Sequence, residues 1–288
     1  MDNNKKWYLL LFLGGVWGSS FLLMKLGLKG VTAVQMGSLR ILFAATFLLV
    51  VGFNHLAKIP SYKWKYIFLT AMFGTFFPVF LFAVALTKID GSISAIINSL
   101  TPLNALIFGI LFFNTSVQKR QIFGVILGFV GCVLLVLFGN DSQASENYYY
   151  ALLVLLASVF YGINVNLIKK YLSDLKPLTI STGNFALMLV PAIAVLYFSD
   201  FFEVAFEPKV ISSIGYIAVL GIVGTGFSNI LFFRLIQLSS PVFASSVTYL
   251  IPVVAILLGY FFMNETLTFI QTIGAFVVLL GVYFSSKS

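Results

Sequence analysis

Apolar residues run through the chain in ten blocks of roughly twenty, separated by short polar stretches. The blocks cover residues 7–28, 33–54, 64–86, 92–113, 121–139, 149–171, 178–198, 211–236, 241–262 and 269–285. Each block is long enough to cross the ~30 Å hydrocarbon layer of a bilayer. A segment surrounded by lipid must satisfy its own backbone hydrogen bonds, so the pattern predicts ten transmembrane helices, called spans 1 to 10 below.

The second half of the chain repeats the first. With a shift of 150 positions, "SLTPLNALIFGILFFNTSVQKRQIFGVILGFVG" at 99 lies over "YLIPVVAILLGYFFMNETLTFIQTIGAFVVLLG" at 249, and residues 66–134 contain 16 identities in 69 positions. Five spans per half is an odd number, so the second half enters the membrane upside down. Inverted repeats are typical of secondary transporters. The sequence predicts an all-α integral membrane protein of ten transmembrane helices in two inverted five-helix repeats, residues 1–140 and 141–288.

Composition excludes a soluble domain, because only 9% of residues are charged and 60% are hydrophobic, against about 25% charged in soluble domains. The net charge of +8 does not indicate nucleic-acid binding, since the basic residues stand singly or in pairs at the ends of spans. If the N-terminus is cytoplasmic, twelve of the 17 Lys and Arg residues flank the inner side. We therefore expect a multi-pass protein of the cytoplasmic membrane with both termini in the cytoplasm.

Two prolines mark a candidate substrate site near the middle of the membrane. Pro102 in span 4 and Pro252 in span 9 occupy matching positions of the repeat, and each removes the hydrogen bond to the carbonyl four residues earlier. Discontinuities at corresponding places in two halves point to a binding site, although both prolines could instead be packing kinks. The candidate substrate-binding residues in these spans are Asn98, Thr101, Pro102, Thr248, Tyr249 and Pro252.

Spans 1 and 6 each carry an aromatic residue followed three positions later by a polar one. These pairs are Trp17 with Ser20 and Tyr161 with Asn164, and residues three apart share one face of a helix. An aromatic-plus-polar patch suits a small organic ligand. Phe77 and Asn229 are weaker candidates, because a single aromatic or amide in an apolar helix often serves packing.

Arg40 and Glu265 are the charges that stand out. Arg40 lies inside span 2, about 10 Å from its outer end, so it should face the bundle or a hydrated cavity. It could anchor the structure or contact a substrate carboxylate. Glu265 has no counterpart in the first half, where Thr115 takes its place; it could favour the first turn of span 10 or act in an outer gate.

Several classes of chemistry lack the residues they need. No Gly-rich phosphate loop, paired histidines or Gly-x-Ser-x-Gly elbow is present, so no catalytic set is predicted. The single Cys132 gives no disulfide or metal framework, and no metal or other cofactor is expected. The expected partners are a small-molecule substrate and the lipid bilayer, and no nucleic acid. The oligomeric state is left open between a monomer and a homodimer.

The chain resembles the EamA-type branch of the drug/metabolite transporter superfamily. The resemblance rests on "WGSSFLLMKLGL" and "GSLRILFAATFLL" in spans 1 and 2, "ALTKIDGSISAIINSLTPL" and "QIFGVILGFVGCVLL" in the first half, and "TYLIPVVAILLGYFFMNETLTFIQTIGAFVVLLGVYF" in the second. It implies an inverted-repeat transporter, often an exporter of amino acids or other metabolites, with a central cavity built from spans 1, 3, 4, 6, 8 and 9. The family pattern places an acid after both proline-containing spans, and here only Glu265 keeps it.

Together these observations predict a secondary transporter that exports small metabolites, such as amino acids, by alternating access. The alternative within transport is a multidrug exporter for aromatic or cationic compounds. A membrane sensor or enzyme is the alternative from another class. A sensor needs a soluble output module and an enzyme needs a clustered catalytic set, and neither is visible in the sequence.

Overall fold

The structure is a computed structural model that describes residues 3–89, 91–137, 148–262 and 268–286. Glu265 lies outside the described residues. The helices, in the order of the spans, are Asn3–Gly27; Ala33–Gly52; Trp64–Ala71 with Phe77–Ala85; Gly91–Asn98 with Thr101–Phe113; Lys119–Leu137; Tyr148–Tyr171; Pro177–Tyr197; Pro208–Gly221 with Ser228–Leu238; Pro241–Ser245 with Val247–Phe262; and Phe269–Ser285. Short helical turns at Phe53–Lys58, Ser61–Lys63 and Phe201–Val204 connect them.

The all-α membrane fold class is confirmed. The described residues contain helices and no strand, and each predicted span coincides with one helix or with the pieces of one. Seven described helices are long and apolar enough to cross a membrane, while the apolar helices at Pro241–Ala255 and Thr272–Ser285 are shorter. Large apolar side chains such as Val50, Phe112 and Phe276 are exposed on the outside of the bundle, as a lipid-facing surface requires.

Local signals explain where several helices begin and end. Thr32 and Gln35 form a capping box at the start of span 2, with each side chain accepting from the other residue's backbone N–H. Ser240 caps span 9 by accepting from the Phe243 N–H. Asn114 ends span 4 with φ of 53°, a left-handed conformation that asparagine tolerates better than most residues. These caps satisfy backbone groups that the helix itself leaves unpaired.

Spans 3 and 8 each contain a π-helical turn at the same place in the repeat. The turns are Met72–Phe76 and Ile222–Phe227, and both include a Gly-Thr pair. A π-helical turn inserts one extra residue, which rotates the part of the helix that follows. Such turns are rare in proteins overall, and those that occur are often found at functional sites.

Spans 4 and 9 are interrupted, but the two prolines do not interrupt them in the same way. Pro102 stands in the first turn of the second half of span 4, where its missing N–H costs no helical hydrogen bond. Pro252 lies inside the helix Val247–Phe262, and the break in span 9 comes earlier, at Ser246. The prediction that both prolines mark equivalent discontinuities is therefore wrong for span 9.

The two repeats pack against each other in opposite directions. In the contact between spans 2 and 7, Gln35 donates to the Ser199 carbonyl at 2.8 Å and Thr182 donates to the Leu48 carbonyl at 3.4 Å. The start of one helix therefore meets the end of the other. Span 1 packs on spans 8 and 9, and span 6 packs on spans 3 and 4. These pairings are related by exchanging the halves, as an inverted repeat predicts.

Spans 5 and 10 pack closely against each other. A Cβ placed on Gly281 would lie 2.5 Å from Gly128 Cα and 2.8 Å from the Gly124 carbonyl oxygen, and one on Gly131 would lie 2.6 Å from the Val278 nitrogen. Small residues allow helix backbones to approach this closely. The Gly-rich face of span 5 therefore serves packing within the bundle.

The bundle is packed with apolar side chains at the face where span 1 begins, which we call the N-terminal face. Its largest core cluster includes Leu10 and Leu13 of span 1, Ile168 of span 6, and Phe243 and Val247 of span 9. Each belongs to the half of its span nearest that face. Close van der Waals packing of these side chains stabilises this end of the bundle, because lipid is as apolar as the side chains themselves.

Polar contacts tie the helix ends together at the same face. Lys169 Nζ donates to the carbonyl oxygens of Ile236, Gln237 and Ser239 at 3.1, 3.1 and 2.6 Å, which satisfies the unpaired end of span 8. Lys63 forms an ion pair with Asp174 in the loop after span 6. The Lys63–Asp174 pair joins the two repeats, whereas Lys169 joins spans 6 and 8 within the second repeat.

Replacing Asp174 with asparagine is expected to have a small, pH-dependent effect. The hydrogen bond from Lys63 holds the pKa of the Asp174 carboxyl below its ordinary value, so the pair stabilises the fold above the unfolded pKa of about 3.9 and stops doing so as the pH falls through the lower folded pKa. Because this carboxylate is 65% exposed, we expect a loss of at most about 1 kcal/mol at pH 7. Thermal unfolding in detergent should show a stability difference between Asp174→Asn and the wild type that becomes smaller below about pH 4. A difference that becomes larger there would contradict the stabilising role of the Lys63–Asp174 pair.

Candidate substrate cavity

A cavity of about 860 Å³, including its open part, lies in the middle of the bundle. It extends from mid-membrane away from the N-terminal face, since its span 1 residues run from Trp17 to Met24. The lining residues are Trp17, Ser20, Phe21, Met24, Arg40, Gly74, Thr75, Val79, Phe82, Asn98, Thr101, Tyr161, Asn164, Val165, Gly224, Thr225, Asn229, Phe232, Ser245, Thr248 and Ile251.

The structure brings most of the predicted site residues together around this cavity. Eight candidates come from spans 1, 4, 6, 8 and 9, and Arg40 joins them from span 2. The eight are Trp17, Ser20, Asn98, Thr101, Tyr161, Asn164, Asn229 and Thr248. The two aromatic-plus-polar pairs of spans 1 and 6 therefore face one space, although 144 positions separate them in the chain.

Four predicted site residues lie outside the cavity lining. Phe77 is 42% exposed and packs beside Phe160 with ring centroids 5.6 Å apart; it follows the π-helical turn, while Val79 and Phe82 face inward. Tyr249 is fully buried and its hydroxyl donates to the Val125 carbonyl at 2.8 Å. The side chains of these residues serve packing between helices in this conformation.

The two prolines are the other predicted site residues that lie outside the cavity lining. Pro102 and Pro252 are both buried, and neither is among the lining residues. Their effect on the site is indirect, because they shape spans whose neighbouring residues Thr101 and Ile251 do reach the cavity.

The π-helical turns supply lining residues that sequence reasoning missed, Gly74 with Thr75 and Gly224 with Thr225. Ser20 of the first repeat lies over Gly224 of the second, with its Oγ 3.1 Å from the position a Cβ would take. Asn164 of the second repeat lies over Gly74 of the first, with its Cγ 2.7 Å from such a Cβ. The Gly-Thr pair recurs 150 positions apart in the sequence, and this recurrence is the signal from which these lining residues could have been predicted.

Most hydroxyl groups of the cavity already have backbone partners. Ser20 donates to the Val16 carbonyl at 2.7 Å, Thr101 to Asn98 at 2.7 Å and Thr248 to Ser245 at 3.0 Å. These bonds hold the hydroxyl protons, and the oxygens keep acceptor capacity for a ligand.

Trp17 joins the two repeats directly. Its indole N–H donates to the carbonyl of Gly224 at 3.0 Å, in the π-helical turn of span 8. Its ring meets the edge of Phe232 with centroids 5.0 Å apart. The indole nitrogen is thus occupied, and what Trp17 offers a ligand is its ring.

Arg40 is the only charged side chain among the lining residues. Its Nε donates to Thr225 Oγ1 at 2.7 Å, and its Nη1 lies 3.7 Å from the Met24 sulfur. Thr225 in turn donates to the Leu220 carbonyl at 3.1 Å. Within the described part of the chain, no carboxylate pairs with the guanidinium.

The asparagine amides are the least occupied polar groups of the cavity. Asn164 is 2% exposed, and its Oδ1 is buried without a hydrogen-bond partner. A buried acceptor without a partner in a native structure needs an explanation, and an ordered water or a ligand would supply its hydrogen bond. Asn98 keeps only a 3.3 Å contact from Thr101 to its Oδ1.

The cavity is therefore suited to recognition of a small organic molecule. It combines aromatic faces, amides, hydroxyl oxygens and one guanidinium, a mixture of apolar walls with a few polar groups that is typical of ligand pockets. Among the described residues, no group of three His, Cys, Asp or Glu could hold a metal ion.

Several known proteins with similar sequences are named as transporters. An "Uncharacterized transporter" of Archaeoglobus fulgidus is 28% identical over 290 residues, which cover 97% of this chain and 98% of that protein. The "Uncharacterized inner membrane transporter YedA" of Escherichia coli is 26% identical, over 93% of this chain and 86% of its own. A crystal structure with 16% sequence identity has the same fold, with a TM-score of 0.72 over 96% of this chain and 95% of that one.

The family match covers both repeats. The model of the EamA-like transporter family matches residues 5–137 and again residues 149–287. Two consecutive matches agree with the internal repeat seen in the sequence and in the packing. The chain is a multi-pass membrane transporter and belongs to the EamA-like transporter family.

Proposed function

We propose that this protein is a secondary transporter that exports small neutral or zwitterionic metabolites, such as amino acids, by alternating access. The observation that carries the proposal is the cavity shared by the two repeats, in which Ser20 meets Gly224 and Asn164 meets Gly74. In inverted-repeat transporters, such a shared site lies at mid-membrane, and the halves move around it.

The lining supports a substrate with little net charge. A multiply phosphorylated compound requires several deep basic groups, and Arg40 is the single one here. The aromatic rings of Trp17, Tyr161 and Phe232 favour an organic body. A cationic drug would meet the guanidinium and no acid among the lining residues, which weakens the multidrug alternative for cations but not for neutral aromatics.

Orientation and direction complete the proposal. The excess of Lys and Arg on one set of loops supports an orientation with both termini in the cytoplasm and the protein in the cytoplasmic membrane. The N-terminal face is then the cytoplasmic face, and the cavity extends away from it. Export is the direction that the family resemblance suggests.

Flux measurements in liposomes test the proposal. Purified protein is reconstituted, and uptake and efflux of a panel of labelled amino acids, sugars and neutral aromatic compounds are followed beside protein-free vesicles. We expect saturable flux for at least one small metabolite. Absence of saturable flux for the whole panel, from protein whose folding is verified by thermal unfolding, would contradict the proposed function.

A further inference from the structure

We propose that Arg40 makes the cavity selective for small organic molecules with a free carboxylate, which the two Nη groups of its guanidinium bind. The inference rests on the proposed transport function and names the chemical class of its substrate. Its basis is the charge and hydrogen bonding of the cavity.

The guanidinium lacks a counter-charge. A positive side chain at this depth is costly and normally finds an acid, a carbonyl network or water. Here its protein contacts are one hydroxyl, Thr225 Oγ1, and one thioether, Met24 Sδ. No Asp or Glu is among the described lining residues. An anion that enters the cavity would supply the missing partner.

The hydrogen bond to Thr225 occupies Nε and leaves the two Nη groups of Arg40 available to a ligand. Arginine has five N–H donors in a planar fork. The Nε contact at 2.7 Å fixes the plane from one side, while the Nη donors have only the weak sulfur contact at 3.7 Å. Two parallel N–H donors match the two oxygens of a carboxylate, which gives a short and strong charge-assisted pair.

A second group favours a ligand that also carries N–H donors. Asn164 lines the same cavity, and its Oδ1 is buried without a hydrogen-bond partner. A buried acceptor of this kind is satisfied by an ammonium or an amine N–H. A guanidinium and a free amide oxygen in one cavity together fit a molecule with one carboxylate and one amino group, which is a zwitterion of amino-acid type.

The test compares matched compounds that differ only at the carboxylate. Proteoliposomes are assayed with L-phenylalanine, L-phenylalaninamide and phenethylamine, and with the corresponding three compounds of leucine and threonine. We expect saturable transport of at least one acid and a KM for its amide and amine that is higher by roughly 10- to 100-fold, the range for loss of hydrogen bonds to a charged group.

Variants assign this selectivity to Arg40. In Arg40→Gln, we expect the KM of the acid to rise by roughly 10- to 100-fold and the preference for acid over amide to disappear. Arg40→Lys keeps the charge but not the fork, so it should keep the preference with a smaller rise in KM. Thr225→Val removes the Nε contact and leaves the Nη groups, so it should also keep the preference.

The outcomes that overturn the inference differ from those that overturn transport. Equal losses for acid and amide in Arg40→Gln, matched in Thr225→Val, would mean that Arg40 only holds span 8 in place. Amines or amides transported as well as acids by the wild type would refute carboxylate selection while leaving transport intact. If Arg40→Gln does not fold, the wild-type comparison and Arg40→Lys still test carboxylate selection. If no compound shows flux, both this inference and the proposed transport function are refuted.

Discussion

Replacing Gly281 with alanine is expected to lower the free energy of unfolding by about 1–3 kcal/mol, and replacing it with leucine to prevent stable folding. The added Cβ would lie 2.5 Å from Gly128 Cα and 2.8 Å from the Gly124 carbonyl. Both contacts are with backbone, so no side-chain rotation relieves them. Spans 5 and 10 would have to separate and lose their interface.

Gly215→Ala is the matched control, because it lies in a helix and a Cβ there meets nothing within 4 Å. Alanine favours helix over glycine by about 1 kcal/mol, so this variant should be as stable as the wild type or more so. Thermal unfolding in detergent measures both. Equal stability of the Gly281 and Gly215 variants would show that spans 5 and 10 are not packed this closely.

Replacing Gly74 with leucine is expected to reduce transport by at least roughly 10-fold while the protein still folds. A Cβ at Gly74 would meet the Asn164 side chain, with Cγ 2.7 Å and Oδ1 2.8 Å away. The rest of the leucine would enter the cavity and occupy substrate space. Because the affected neighbour is one side chain at a cavity, the cost falls on binding more than on stability.

Gly15→Leu provides the comparison for this prediction, since a Cβ at Gly15 also meets nothing within 4 Å. Its flux should equal that of the wild type, whereas Gly74→Ala should fall between the wild type and Gly74→Leu. Flux per folded protein is the quantity to measure. Full activity of Gly74→Leu would place the substrate path elsewhere in the bundle.

The ten spans and their inverted repetition could be predicted because each depends on local pattern. Long apolar blocks, short loops and an odd number of spans per repeat define the architecture without knowledge of any tertiary contact. The pairs Trp17 with Ser20 and Tyr161 with Asn164 could be found for a similar reason. Polar side chains in the middle of an apolar helix are costly in lipid, so they mark the inner face.

The prolines and Phe77 show where this reasoning ends. Proline indicates a local change of backbone, but it does not determine which side chains then reach a cavity, and the break in span 9 falls at Ser246 rather than beside Pro252. Span 3 is wholly apolar after Thr75, from Phe76 to Leu86, so periodicity could not show which of these later side chains face inward. The π-helical turn then rotates Phe77 outward.

The partner of Arg40 could not be predicted from the sequence. Its contact with Thr225 joins residues 185 positions apart, and it exists only because spans 2 and 8 pack together. The recurrence of Gly-Thr at 74 and 224 was visible in the alignment of the halves. Its meaning required the knowledge that both pairs lie in π-helical turns at the same cavity.

Two-sided access to the cavity is the most direct test of the central claim that one site serves both faces of the membrane. In a Cys132→Ala background, Ser20→Cys and Ser245→Cys place one thiol from each repeat in the lining. The variants are treated with a membrane-impermeant maleimide in vesicles of either orientation. We predict labelling of both thiols from both sides, slowed by a transported compound; labelling from one side only would contradict alternating access around this cavity.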